Sequence, residues 1–275
     1  MKLIKLLLTT ALLSYYSPIA LANDSEALCK EGNPSCTFVL LSELNQTDGN
    51  TTSKVSTVNE SRANSPFSPF STFKVANSLI ALDLGVIKNT KQQLTFDKKS
   101  YPVQAWWPSV WKLPDYDLTT AFKYSMVAIY RQLAQDIGEK SMTTYLKKMR
   151  YGNEDISSGL DSFWLNGSMK ISAAEQTEFL QKIYHNQFAF NDQSIVALKE
   201  VMLVETKPKY RMFAKTGAGK VDDGTMLGWY IGFVENDAGV HFFALNFNRA
   251  TYAEMKGSRT KIAVNHLKLA GIIEE

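Results

Sequence analysis

Ser71 and Lys74 are spaced for covalent catalysis without a histidine. They lie in Phe67-Ser68-Pro69-Phe70-Ser71-Thr72-Phe73-Lys74-Val75-Ala76-Asn77-Ser78-Leu79. Proline suits the first turn of a helix, and no breaker follows Pro69, so an apolar helix is expected from there. Residues three apart share a helical face, which sets the lysine beside the serine near the positive end of the helix dipole. A serine hydroxyl is a weak nucleophile until a base takes its proton, and an amine does so only when neutral. Ser-x-x-Lys alone also occurs where both side chains are solvated. Here Phe67, Phe70, Phe73, Val75 and Leu79 crowd the segment. They predict a buried lysine whose charged form is disfavoured.

Three further segments could complete a cleft. Ser125-Met126-Val127 interrupts a helical stretch, where a side chain can be turned inward. Tyr151-Gly152-Asn153 reads as a turn. Lys215-Thr216-Gly217 ends a predicted strand, with Gly217 leaving room for a ligand to approach backbone. Each is ordinary by itself; their order and spacing are not. His185, His241 and His266 are scattered without metal spacing or a triad partner and read as surface or packing residues. Trp106, Trp107 and Trp111 suit either a cleft wall or core packing.

Strands at both ends must position these residues. Residues 37–41 read as a strand, Asp48-Gly49 as a hairpin turn and 52–58 as a polar, alternating edge strand, with a loop over 59–66. From 75 to 190 the pattern is mostly helical, with helices over 118–136 (broken at Tyr124-Ser125), 141–148 and 173–185. Strands are expected again at 210–215, 228–234 and 240–246. Gly219, Asp222, Asp223 and Gly224 mark a turn-rich stretch between the first two, and a last helix covers 258–269. The expected fold is α+β. A mainly antiparallel sheet built from both chain ends is flanked by helices, with a helical subdomain at about 86–190 inserted in it.

Taken as a set, the motifs resemble the penicillin-recognising serine enzymes, whose signature includes S-x-x-K and K-T-G. Within that group the chain is similar to class D (OXA-type) β-lactamases. The likeness rests on Pro69-Phe70-Ser71-Thr72-Phe73-Lys74, Ser125-x-Val127, Tyr151-Gly152-Asn153, Phe163-Trp164-Leu165, Ile171-Ser172 with Glu175-Gln176, Lys215-Thr216-Gly217, Gly228-Trp229 and the Arg259 segment. It runs from about residue 37 to the C-terminus. The resemblance implies that Ser71 is the nucleophile acylated by a β-lactam, and that Lys74 reacts with CO2 to a carbamate (N6-carboxylysine) serving as general base in acylation and deacylation. Trp164 would hold that carbamate, with Val127 and Leu165 flanking it. Ser125 would relay a proton to the leaving nitrogen, and Lys215, Thr216 and Gly217 would line the site. Thr216 with Arg259 would bind the substrate carboxylate, Arg249 being the competing arginine. The oxyanion hole would use the backbone N–H groups of Ser71 and Ala218, each such donor being worth about 2.7–4 kcal/mol.

The rest of the 275 residues bounds the setting. A 45% hydrophobic and 12% aromatic composition supports one large domain or two interleaved subdomains. Residues 1–22 read as a signal peptide: Lys2 and Lys5, an apolar run over 6–13, and Ala20-Leu21-Ala22 as the cleavage site. The catalytic domain then spans 23–275 in the periplasm or outside the cell, without a membrane anchor. Losing two lysines leaves 28 basic residues against 27 acidic ones, and no basic block argues for nucleic acid. Cys29 and Cys36, the only cysteines, default to a disulfide in an exported protein. Closing so short a loop contributes roughly 2–3 kcal/mol. Two free thiols or a metal pair are the alternatives, but no histidine lies nearby, and no metal or cofactor beyond CO2 is expected.

The leading reading is a β-lactam hydrolase conferring antibiotic resistance. The runner-up is a penicillin-sensing domain that stays acylated, and a D-alanyl-D-alanine peptidase is third. The preferred β-lactam class and the oligomeric state, homodimer included, stay open.

Overall fold

The computed structural model describes residues 28–274; the predicted signal peptide and Asn23 lie outside them. Six strands form one sheet: β1 (Cys36–Asn45), β2 (Thr51–Val58), β3 (Leu203–Lys207), β4 (Tyr210–Lys220), β5 (Met226–Asn236) and β6 (Gly239–Arg249). Their order is β2-β1-β6-β5-β4-β3, and every pairing is antiparallel. The sheet is thus assembled from both chain ends, as the strand pattern predicts.

Eight α-helices complete the described residues: α1 (Glu60–Ala63), α2 (Lys74–Asp83), α3 (Leu118–Lys123), α4 (Val127–Ile137), α5 (Glu139–Met149), α6 (Ala173–Tyr184), α7 (Asp192–Met202) and α8 (Tyr252–Leu269). Among the described residues no helix is long and apolar enough to cross a membrane.

Alternation along the strands divides the core into two layers. Phe38 and Leu40, Met212 and Ala214, and Phe243 and Leu245 pack with Met255, Ile262 and Leu267 of α8. Val39, Phe213, Phe242 and Ala244 face the other way, onto the layer that holds Leu79 of α2 and Phe179 and Leu180 of α6. The β1–β2 hairpin turns at Asp48-Gly49, where Gly49 has φ +84° and Asp48 Oδ1 accepts the Asn50 N–H. Cys29 and Cys36 are disulfide-bonded, which ties the incoming chain to the first residue of β1.

Several boundaries differ from the sequence expectation. The loop expected at 59–66 contains the single helical turn α1, and α7 and β3 were not anticipated. The strand expected to stop at Lys215 continues to Lys220, because β4 pairs with β5 as far as Lys220↔Met226. The last helix starts at Tyr252 rather than near 258. Thr251 caps it by accepting the Glu254 N–H, and buried Met255 anchors its first turn. Gly257 sits in mid-helix with open space around it. Arg259 therefore lies in the second turn of α8, not at its start.

Candidate active site

Ser71 sits in a 3-10 turn, Phe70–Phe73, that runs directly into α2. Lys74 is the first residue of that helix, and its Nζ lies 3.0 Å from Ser71 Oγ. The lysine is fully buried, and burial lowers its pKa from 10.5 to about 7. The Tyr130 ring of α4 is 4.8 Å from Nζ and forms part of its apolar cover. Thr72 stitches the turn together: its N–H and hydroxyl both donate to Pro69 O, and its hydroxyl accepts from Gln176 Nε2 of α6 at 2.8 Å.

Ser125 occupies the break between α3 and α4. Its left-handed backbone (φ +55°) ends the helical path, and the N–H of buried, extended Met126 closes the end of α3 by donating to Ala121 O before α4 starts at Val127. From this break Ser125 Oγ accepts from Lys215 Nζ across 90 residues of sequence. Lys215 stands mid-way along β4 and also donates to Thr216 O. Its pKa is pushed well down, first by burial and then by the charges of Lys74 and Arg259. Arg259 reaches from α8 to donate to Gly217 O at 3.2 Å, and burial lowers its pKa too.

Three basic side chains are thus buried around Ser71, Ser125 and Gly217, and among the described residues none of them forms a salt bridge with a carboxylate. Such a cluster favours an anionic ligand. Among the described residues no group of histidine, cysteine, aspartate and glutamate is placed to hold a metal ion.

Trp164 is fully buried, with its ring stacked on Phe73 at 5.2 Å and its carbonyl accepting the Phe70 N–H. Its indole N–H is buried without a partner. Leaving such a donor unmatched costs on the order of 1–3 kcal/mol. Val127 and Leu165 are half-buried. Val127 opens α4 directly after Ser125-Met126, and Leu165 follows Trp164.

Residues 37–268 match the family model "Penicillin binding protein transpeptidase domain". The chain is 43% identical over 218 residues to "Beta-lactamase OXA-48" of Klebsiella pneumoniae, covering 79% of each. Its fold superposes on the crystal structure of FUS-1 (OXA-85), a class D β-lactamase from Fusobacterium nucleatum subsp. polymorphum, with a TM-score of 0.77 and 29% identity. That match covers 87% of this chain and 93% of the other. The chain belongs to the class D β-lactamases. It is also 34% identical over 219 residues to "Regulatory protein BlaR1" of Bacillus licheniformis, which covers 80% of this chain but 35% of that protein.

This class D chain brings Ser71 with Lys74, Ser125 with Lys215, and Gly217 with Arg259 into direct contact. Arg249 stands elsewhere, at the end of β6, with its guanidinium over the Phe247 ring and donating to Asn248 O. Ala218 follows Gly217 in β4, opposite Gly228. Tyr151 is fully buried against Phe73 and Phe179.

The histidines serve packing. His266 accepts the Cys29 N–H and stacks on Phe38, His241 is buried against Ser42, and His185 pairs with Glu43. Trp107 is buried, Trp106 is exposed, and Trp111 donates to Tyr124 O beside the Ser125 break. Sequence reasoning missed Tyr130, whose only signal was its place one turn into the helix that follows Ser125.

Proposed function

We propose that this protein hydrolyses β-lactam antibiotics through an acyl-enzyme on Ser71 and so confers resistance to them. The observation that carries this reading is the buried Lys74 amine 3.0 Å from Ser71 Oγ, with its pKa lowered to about 7. At neutral pH a large fraction of that amine is unprotonated, which a general base requires.

Ser71 Oγ attacks the lactam carbonyl as its proton passes to the base at position 74. The carbonyl π electrons move to oxygen, where the Ser71 and Ala218 N–H groups receive them. Collapse of the tetrahedral centre breaks the C–N bond. The leaving nitrogen takes its proton from Ser125, which Lys215 replenishes through their hydrogen bond. Thr216 and Arg259 hold the substrate carboxylate at the cationic end of the cleft. The proton held at position 74 then passes back to Lys215 and Ser125, restoring both walls. In the second half-reaction water attacks the ester as its proton goes to position 74, and collapse breaks the ester C–O bond while that proton passes on to Ser71 Oγ.

The residues around Lys74 fit its carboxylated form, because the unmatched Trp164 N–H supplies a donor for a new acceptor and only a neutral amine adds CO2. That group, when present, supplies a carbamate oxygen as the base. Val127 and Leu165 limit water around it. Residues 1–22 are read as an export leader, which places the enzyme in the periplasm or outside the cell.

The likeness to a regulatory protein favours one second reading, a penicillin-sensing domain that is acylated and not released. Turnover of a chromogenic cephalosporin separates the two. Many turnovers per active site are expected, and a single stoichiometric burst would replace the hydrolase by the sensor.

A further inference from the structure

Phe70 is the one bulky side chain in the nucleophile turn whose backbone is left-handed (φ +48°). That region is unfavourable for a residue with a large Cβ substituent, yet here it precedes the nucleophile directly. Its N–H donates to Trp164 O at 2.9 Å, and the side chain is 4% exposed. The ring lies flush on Gly219 of β4. A Cβ built at Gly219 would fall 1.9 Å from Phe70 Cε1 and 2.3 Å from Cδ1.

Gly219 is not in a left-handed conformation. Space for the ring, rather than backbone freedom, accounts for glycine there. Two residues earlier the same thing happens: a Cβ at Gly217 would lie 3.0 Å from both Pro69 O and Thr72 Cγ2. Ser71 is therefore bracketed by Phe70 and Thr72, and Ala218 by Gly219 and Gly217. Phe70 meets Gly219, and Thr72 meets Gly217.

We propose that Phe70 is a positioning residue whose ring, seated on Gly219, sets the spacing between the Ser71 and Ala218 backbone N–H groups. The proposal rests on the acyl-enzyme reading, in which those two groups receive the developing oxyanion. Both half-reactions pass through a tetrahedral oxyanion, so a change in this spacing slows both by a similar factor. It leaves the base at Lys74, and so the bicarbonate requirement, as it was. Loss of simple packing would instead lower the amount of folded enzyme without altering the rate constants of the folded fraction.

The test measures acylation by benzylpenicillin and release of the acyl group, both normalised to the fraction of Ser71 that can be labelled. Gly219→Ala is expected to slow both steps by about 10²-fold, the scale of an ångström-level misplacement. Adding Phe70→Ala to that variant should return both rates to those of Phe70→Ala alone. Phe70→Leu, which fills the socket without a ring, covers the case in which Gly219→Ala does not fold. It should slow both steps alike by about tenfold with an unchanged bicarbonate requirement. A Gly219→Ala penalty that persists without the ring, or a Phe70→Leu enzyme with wild-type rates, overturns the proposal alone. A wild-type protein never labelled at Ser71 overturns the acyl-enzyme reading, and the proposal with it.

Discussion

Replacing Lys74 by methionine should stabilise the protein while abolishing turnover, and the gain should depend on pH with a defined sign. The amine is fully buried, and its pKa falls from 10.5 to about 7 on folding. Between those values the unfolded chain carries one more proton than the native one, so wild-type stability rises with pH across that window. Below about pH 7 both states are protonated at this site and the full penalty remains. At ~1.36 kcal/mol per tenfold, the native state is penalised by about 4 kcal/mol at pH 7 and about 2 kcal/mol at pH 9. Methionine has similar length and no charge to desolvate, so Lys74→Met should recover most of that difference. It also removes the positive charge that helps depress Lys215, which acts in the same direction. Urea unfolding at pH 7, 8 and 9 in CO2-depleted buffer reads the difference from the midpoints at constant slope. A gap between variant and wild type that is below 1 kcal/mol at pH 7, or that does not shrink as pH rises, would refute the claim that burial holds this amine neutral.

Two further outcomes test the walls of the cleft. Trp164→Phe keeps the ring that stacks on Phe73 and deletes the unmatched N–H. The bicarbonate needed to restore activity after CO2 depletion should rise by about tenfold, with Ser71 still labelled by penicillin; an unchanged requirement would remove Trp164 from that role. Arg259→Ala should raise KM for carboxylate-bearing substrates by about 10- to 100-fold with kcat changed far less, and steady-state kinetics that show the loss in kcat instead would assign the arginine to the transition state.

Local spacing made part of this site legible before any fold was known. Ser71 and Lys74 are three residues apart, and helical geometry alone brings them together. Val127 is tied to Ser125 by adjacency in the same way. The contact between Ser125 and Lys215, by contrast, crosses 90 residues. Nothing local to either residue predicts it, and only the motif set as a whole pointed there. Glycine misled in β4. Gly217 and Gly219 suggested that the strand ended at Lys215, whereas they let β4 pass close beneath the nucleophile turn. The start of α8 expected near 258 gives way to Thr251, which caps the helix, and to buried Met255 in its first turn. The left-handed backbone of Phe70 carried no sequence signal, and the glycine that its ring lies against, Gly219, is far along the chain.

The electrostatics of the cleft explain why a fold would keep so costly an arrangement. Lys74, Lys215 and Arg259 are all drawn below their ordinary pKa values, burial being the largest cause for each. No carboxylate of the described residues pairs with them, so the missing counter-charge is a property of the site as built. A neighbouring acid would restore stability, but it would also hold Lys74 protonated and remove the base. In the proposed reaction the substrate brings the negative charge itself, at the end where Arg259 meets Gly217. Its arrival favours the protonated form of Lys215, since an opposite charge nearby raises the pKa of an amine. A protonated Lys215 is the form that can pass a proton through Ser125 to the leaving nitrogen. Lys74, buried beside the Tyr130 ring and paired with no carboxylate of the described residues, keeps a large neutral fraction near pH 7 for the opposite task. In the proposed reaction the same cluster of buried basic groups thus supplies a base at Lys74 and an acid at Lys215, and substrate binding increases the difference between them.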